Sequence, residues 1–295
     1  MLLRGLSAFP ITPASPVGTV DAPALRGLVR RLRAAAVDSI GLLGSTGSYP
    51  YLTRAERRRA IDAALPEAGS IPVLVGVGAL RTDEAVALAQ DARAAGATAG
   101  LLAPVSYTPL FEDEVFEHFT TVARESGLPL SIYDNPGTTH FRFSTGLMAR
   151  LSQVDGIVAV KSPCPEPPAA PPHLAELRRV VPNGFSLGYS GDWNVLDALL
   201  AGADAWYSVV AGLFPVTSRA MLRAAQAGDV AEARRLNDEL QPLWRVFQAY
   251  SSLRVIYSCA DLLGLCHTAP PRPILPLAGE ARQQVAAVLG SLNLA

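Results

Sequence analysis

The chain has 295 residues, of which 49% are hydrophobic and 17% charged, with a formal net charge of -1. Such a composition excludes extensive disorder, and near-neutrality gives no electrostatic basis for binding nucleic acid or an anionic membrane. Cys164, Cys259 and Cys266 make an odd set without metal-type spacing and read as packing residues of a reducing compartment.

From the start of the chain, residues 1–10 hold no apolar run of signal-peptide length and reach a proline at Pro10, so a cytoplasmic protein is expected. Short apolar runs recur at residues 6–11, 38–43, 72–77, 99–103, 129–133, 157–161, 184–188 and 205–210. Runs of this kind suit strands buried on both faces, as in a parallel sheet. Amphipathic stretches fall between them, at residues 21–36, 53–65, 82–95, 112–126 and 192–201, the alternation of repeated βα units. Thr53 with Glu56, and Thr82 before Asp83 and Glu84, read as helix N-caps with acids in the first turn. Gly96 and Gly202 read as helix stops. The most membrane-like stretch, residues 198–217, carries Asp204, Gly202, Gly212 and Pro215, and reads as helix end, turn and buried strand. The arginines are scattered among acids and read as a solvated helix surface.

Eight such runs alternating with helices predict an α/β fold, a (β/α)8 TIM barrel, which takes roughly 250 residues. Beyond about residue 216 the pattern is helical alone, broken by the proline-rich residues 269–276. The expected division is a barrel over residues 1–228 and a small C-terminal helical extension over residues 229–295. Prolines at positions 163, 165, 167, 168, 171 and 172 make residues 162–173 a stiff loop, a lid or a spacer, because proline lacks the amide proton that helix and sheet require.

In a parallel barrel the catalytic groups project from the C-terminal ends of strands. Four of these ends carry reactive or hydrogen-bonding groups: Gly44-Ser45-Thr46-Gly47-Ser48, Ser106-Tyr107, Tyr133-Asp134-Asn135-Pro136, and Lys161. Lys161 is the only lysine among 25 Lys and Arg residues. Guanidinium stays protonated, whereas an amine can lose its proton and add to a carbonyl, so Lys161 is expected to do what arginine cannot. A lysine at a strand end can also simply extend its ammonium to solvent. Taken singly, Tyr133 and Tyr107 are equally well packing aromatics with satisfied hydroxyls. His118, His140, His173 and His267 are dispersed without zinc-site spacing, so metal-assisted aldol chemistry finds no ligand cluster and no metal is expected. Neither the Gly44–Gly47 segment nor Gly76-Val77-Gly78 matches a P-loop or dinucleotide fingerprint.

Ile11-Thr12-Pro13, Gly44-Ser45-Thr46-Gly47, residues 73–78, Tyr107, residues 133–136, Val160-Lys161 and Ser190-Gly191-Asp192 together carry a resemblance. In order and spacing, over nearly the whole chain, they resemble the dihydrodipicolinate synthase and N-acetylneuraminate lyase family of pyruvate-dependent class I aldolases. The resemblance implies a barrel with a C-terminal helical domain, assembled as a homo-oligomer, a dimer or tetramer, and acting on a small 2-oxo acid without a cofactor. By position, Lys161 would form the Schiff base and Tyr133 would stand beside it as proton donor and acceptor. Ser45, where the family usually has threonine, and Tyr107, often supplied across an interface, would complete a hydroxyl relay. Thr46 and nearby backbone amides would hold the pyruvate carboxylate, with Gly191 and Tyr207 lining the pocket. A protonated imine withdraws electrons from the adjacent carbon and so eases carbon–carbon bond making or breaking.

Three positions depart from the family pattern. Ser48 stands where many relatives carry glutamate, and Ser162-Pro163 follow the lysine where a glutamate is common. Thr138 occupies the place of the arginine that binds the carboxylate of aspartate semialdehyde in dihydrodipicolinate synthases. These departures point to an aldolase or dehydratase of 2-keto-3-deoxy acids. An authentic dihydrodipicolinate synthase and a non-catalytic keto-acid sensor on the same fold are the alternatives. Thr138 and Thr139 offer neutral hydrogen bonds to a substrate or merely satisfy their own turn, and His140 is a proton shuttle or an ordinary loop residue.

Overall fold

A computed structural model describes residues 3–292; Met1, Leu2 and residues 293–295, the outer ends of the two segments expected from the sequence, lie outside the described residues. Within them, β1 (Gly5–Ala8), β2 (Ser39–Leu42), β3 (Val73–Gly76), β4 (Ala99–Leu102), β5 (Leu130–Tyr133), β6 (Ile157–Pro163), β7 (Ser186–Ser190) and β8 (Ala205–Ser208) form a closed parallel barrel in sequence order. β8 pairs back onto β1, with Tyr207 opposite Ser7.

Register decides which side chains meet at the barrel axis. Tyr133 pairs with Lys161, Lys161 with Gly188, and Gly188 with Ala205, so all four positions share the inner face. Phe9, Leu74, Ala99, Leu101, Tyr133, Ala159 and Tyr207 pack together as one buried cluster there. Small residues make room for the rings: a Cβ at Gly41 would lie 2.2 Å from the Phe9 ring. The alternate positions, among them Leu42, Ile132, Val160, Leu187 and Trp206, face the surrounding helices in a second, larger core. Burial on both faces explains why the strands read as unbroken apolar runs.

The helix Arg54–Ala68 is capped by Thr53, which accepts from Glu56 N at 3.3 Å, while the Glu56 carboxylate accepts from Val20 N at 2.7 Å. The cap expected at Thr82 is not formed. Arg81 is the N-cap of Thr82–Ala95, and the Thr82 hydroxyl instead meets His118 Nδ1 at 2.9 Å, a tertiary partner replacing the local one. Gly96 and Gly202 end their helices with φ of 96° and 87°.

The segment 162–173 also differs from the expected continuous loop. Ser162 and Pro163 extend β6, and the helix Ala170–Val180 takes Pro171 and Pro172 into its first turn, where amide protons have no intrahelical acceptor. Only residues 164–169 are a connecting loop. Residues 198–217 fold as expected, from the end of the helix Val195–Leu200 through a turn into β8. Among the described residues no helix is long and apolar enough to cross a membrane.

Beyond the barrel come the helices Pro215–Gln226, Val230–Glu239, Gln241–Tyr250, Ser252–Leu262 and Gly279–Ser291. Residues 269–276 interrupt them as expected. Tyr257 reaches from Ser252–Leu262 to the barrel mouth, its hydroxyl 3.1 Å from Ser48 Oγ and donating to Thr12 O at 3.5 Å. The three cysteines are unpaired and buried.

Candidate active site

Lys161 stands on the inner face of β6 and is 5% exposed. Its Nζ lies 3.8 Å from the centroid of the Tyr133 ring and 5.5 Å from that of Phe9. The first contact follows from the β5–β6 register, and the second from the glycines that let the Phe9 ring into the barrel. Aromatic faces attract a cation electrostatically without accepting its proton, so they hold the amine in place and leave its lone pair available once deprotonated.

The Tyr133 hydroxyl donates to Ser45 Oγ at 3.1 Å and accepts from Asn135 Nδ2 at 3.0 Å. Ser45 comes from the turn after β2. Leu43 enters that turn with φ of 56°, unusual for a residue with a branched side chain. The turn closes through Ser48 N donating to Ser45 O at 3.0 Å, and it buries Thr46 beside Ser45. Gly76 of β3 supports it from below: a Cβ there would fall 1.7 Å from Leu43 O.

Two buried carboxyl groups flank the lysine strand. Asp134 N donates to Lys161 O at 3.0 Å, and burial pushes the Asp134 carboxyl up to about 6 against the opposing influence of Arg142. Its Oδ1 is buried without a hydrogen-bond partner among the described residues. Burial also pushes the Asp192 carboxyl up, opposed by Val210 N at 2.8 Å, Trp206 Nε1 at 2.9 Å, the Ser208 side chain and the charge of Lys161, and Val209 N donates to it as well at 3.1 Å. Through these bonds Asp192 ties the β7 end to the β8 end and fixes Gly191, whose φ is 89°.

The other sequence-derived candidates spread out. Tyr207 is 1% exposed and packs edge-on to Phe9 with centroids 6.1 Å apart; its buried hydroxyl makes no well-formed hydrogen bond among the described residues, and burial pushes it up to about 12 against the opposing influence of the nearby Ser131 and Ser186 side chains. Tyr107 is 97% exposed and makes no hydrogen bond or ring contact with Lys161, Tyr133 or Ser45. Thr138, on the short helix Pro136–Thr139, turns its hydroxyl back to Asn135 O at 3.3 Å. His140 is exposed at the end of that helix with φ of 57°. Among the described residues no group of three or more His, Cys, Asp or Glu side chains could hold a metal ion.

The model of the dihydrodipicolinate synthetase family matches residues 2–292. The chain belongs to this family. It is 35% identical to the 4-hydroxy-tetrahydrodipicolinate synthase of Thiobacillus denitrificans, covering 99% of this chain and 97% of that one. It is 32% identical to the enzyme of the same name from Methylococcus capsulatus, over 96% and 97% of the two chains. Among solved structures, the dihydrodipicolinate synthase of Agrobacterium tumefaciens superposes with a TM-score of 0.96 at 55% identity, covering 99% of this chain and 98% of that one. The Aquifex aeolicus dihydrodipicolinate synthase gives a TM-score of 0.91 at 30% identity, over 99% and 98%.

Within this dihydrodipicolinate synthetase family chain, several site residues escape a reading of sequence alone. Phe9, beneath the lysine, sits just past a strand end and looks like any core ring. Asn135 belongs to the strand-end segment 133–136 that the sequence singles out, but its bond to the Tyr133 hydroxyl cannot be read from that spacing. Arg57 corrects the expectation of solvated arginines: it is 8% exposed, donates from Nη1 to Gly78 O at 2.9 Å and from Nε to Leu52 O at 3.3 Å, and lies 5.0 Å from the Tyr49 ring centroid. It thereby fastens the turn that carries Ser45 to the segment after β3. Its proximity to Tyr49 in sequence gave no hint, because eight residues apart, on the 3-10 turn Tyr49–Tyr51 and the helix Arg54–Ala68, is not a contact spacing.

Proposed function

We propose that this lyase works through a Schiff base between Lys161 and the keto group of pyruvate or a related 2-oxo acid. One observation carries the reading: the chain's sole lysine is buried at a barrel strand end with its Nζ 3.8 Å from the Tyr133 ring, and the Tyr133 hydroxyl is bonded to Ser45. In this reading the neutral amine attacks the keto carbon, and Tyr133 and Ser45 carry protons to and from the carbinolamine oxygen as water leaves. Thr46 and the amides of its turn hold the carboxylate, beside Gly191, while Tyr207 closes the barrel beneath. Tyr107 enters the relay from another copy in a dimer or tetramer, an assembly supported by the apolar exposure of Tyr107, Phe111 (78%) and Leu80 (65%). The barrel of residues 1–228 carries the chemistry and residues 229–295 brace its mouth, supported by the Tyr257 contacts. Free thiols suit a cytoplasmic setting.

The preferred partner reaction is aldol cleavage, condensation or dehydration of a 2-keto-3-deoxy acid, since a threonine hydroxyl at 138, already bonded to its own turn, cannot replace a bidentate arginine. The names of the relatives favour a second reading, 4-hydroxy-tetrahydrodipicolinate synthase itself. The test of the Schiff-base step needs neither acceptor: exchange of pyruvate methyl protons with heavy water, followed by NMR. Exchange catalysed by the wild-type chain and absent in Lys161→Arg supports the proposal. Equal exchange in both refutes it.

A further inference from the structure

We infer that Asn135 is a positioning residue for Tyr133, orienting the phenol so that its single proton is directed at Ser45; the inference rests on the Schiff-base reading above. Asn135 is unusually constrained. Pro136 restricts its backbone, which sits at φ -144° and ψ 68°. Its carbonyl oxygen accepts from Thr138 N at 2.9 Å and Thr139 N at 3.0 Å, and from the Thr138 and Thr139 hydroxyls at 3.3 and 3.1 Å. Thr138 and Thr139 thereby hold the Asn135 backbone through both their amides and their hydroxyls. With the backbone so held, only the carboxamide remains to be placed, and its Nδ2 lies 3.0 Å from the Tyr133 oxygen.

An amide N–H can only donate, and a phenol has one proton. Tyr133 must then accept from Asn135 and send its own proton to Ser45 Oγ, 3.1 Å away. A phenol lacking that donor is a free rotor, with its proton shared among whatever acceptors the site offers. A relay that must deliver a proton in one direction as the carbinolamine loses water works faster when the direction is set beforehand. All three groups, Asn135, Tyr133 and Ser45, come from one chain, so this part of the relay is complete without a second copy.

The test uses the full-length chain with saturating pyruvate, quenched with borohydride at increasing times, and intact mass to read the fraction trapped as imine. Asn135→Asp keeps the shape of the side chain but offers a carboxylate, which accepts and does not donate; Asn135→Ala removes the group and guards against a folding artefact in either variant. Loss of one neutral hydrogen bond corresponds to a rate about 2- to 10-fold lower. Both variants are expected to approach the wild-type trapped fraction that much more slowly, with the final fraction and the half-saturating pyruvate concentration unchanged. Asn135→Asp trapping at the wild-type rate would overturn the inference, as the amide would then act as an acceptor or not at all. A parallel fall in rate and final fraction would also overturn it, marking a merely structural residue. No adduct on the wild-type chain would sink the Schiff-base reading itself, whereas wild-type trapping with unaltered variant rates sinks only the role of Asn135.

Discussion

Asp134→Asn should change stability in a way that depends on pH. The folded carboxyl keeps its proton up to about 6, because burial disfavours its charge, whereas the unfolded one releases it near 3.8. Between those values the folded state binds more protons, so this group's contribution to stability is full below the lower value. It is lost as pH rises through the upper one and is flat beyond. At about 1.4 kcal/mol per pH unit, the contribution falls by about 2 kcal/mol between pH 4.5 and pH 7.5. Asparagine does not titrate. Its own hydrogen bonds shift stability by a constant that cancels when the variant-minus-wild-type difference is compared at the two pH values. Urea unfolding of both proteins, at one fixed protein concentration, should show the variant gaining about 2 kcal/mol on wild type on going from pH 4.5 to 7.5. A difference constant to within about 0.5 kcal/mol would refute the claim that burial holds this carboxyl protonated beside the lysine strand.

Tyr133→Phe should slow steady-state turnover by about 10² to 10⁴ if the hydroxyl moves protons, and a loss under threefold would remove that role. Gly76→Ala should destabilise the barrel by about 1–3 kcal/mol or prevent folding, since its Cβ would sit 1.7 Å from Leu43 O; an unchanged melting temperature would contradict the close approach. Aspartate semialdehyde should be a poorer partner than at least one 2-keto-3-deoxy acid or simple aldehyde. If it instead gives the highest kcat/KM of the panel, in the 10⁴ to 10⁸ M⁻¹s⁻¹ range of natural substrates, another group binds its carboxylate.

The barrel was legible because strands buried on both faces leave apolar runs at regular spacing, and all eight appear where those runs lie. Their ends shifted by up to three residues, as at β1, which stops at Ala8, and at β6, where Ser162 and Pro163 continue pairing with Tyr189 and Ser190. Proline there signalled a loop, but it lies at the strand's last position, where the amide proton is dispensable. Lys161, Tyr133 and Ser45 were legible because strand ends in such a barrel converge, and register alone brings the first two together. Tyr107 was legible as a tyrosine near a strand end, but in this chain its ring stands 97% exposed, without contact to Lys161 or Tyr133. Phe9 and Arg57 were silent in the sequence for a common reason: each acts through tertiary contacts, with a ring or with carbonyls, that no local spacing encodes, while Asn135 was legible in the strand-end segment 133–136 but its bond to the Tyr133 hydroxyl was not.

The most direct measurement is proteolytic mass spectrometry of the folded chain after saturating pyruvate and borohydride, which converts an imine to a stable secondary amine. With one lysine in the sequence, the side-chain amine at issue is unambiguous. The reduced pyruvate adduct should appear on the peptide containing Lys161 and on no other. A folded protein that carries no adduct on Lys161, or carries it only on the terminal amine, would contradict a Schiff-base mechanism at this site.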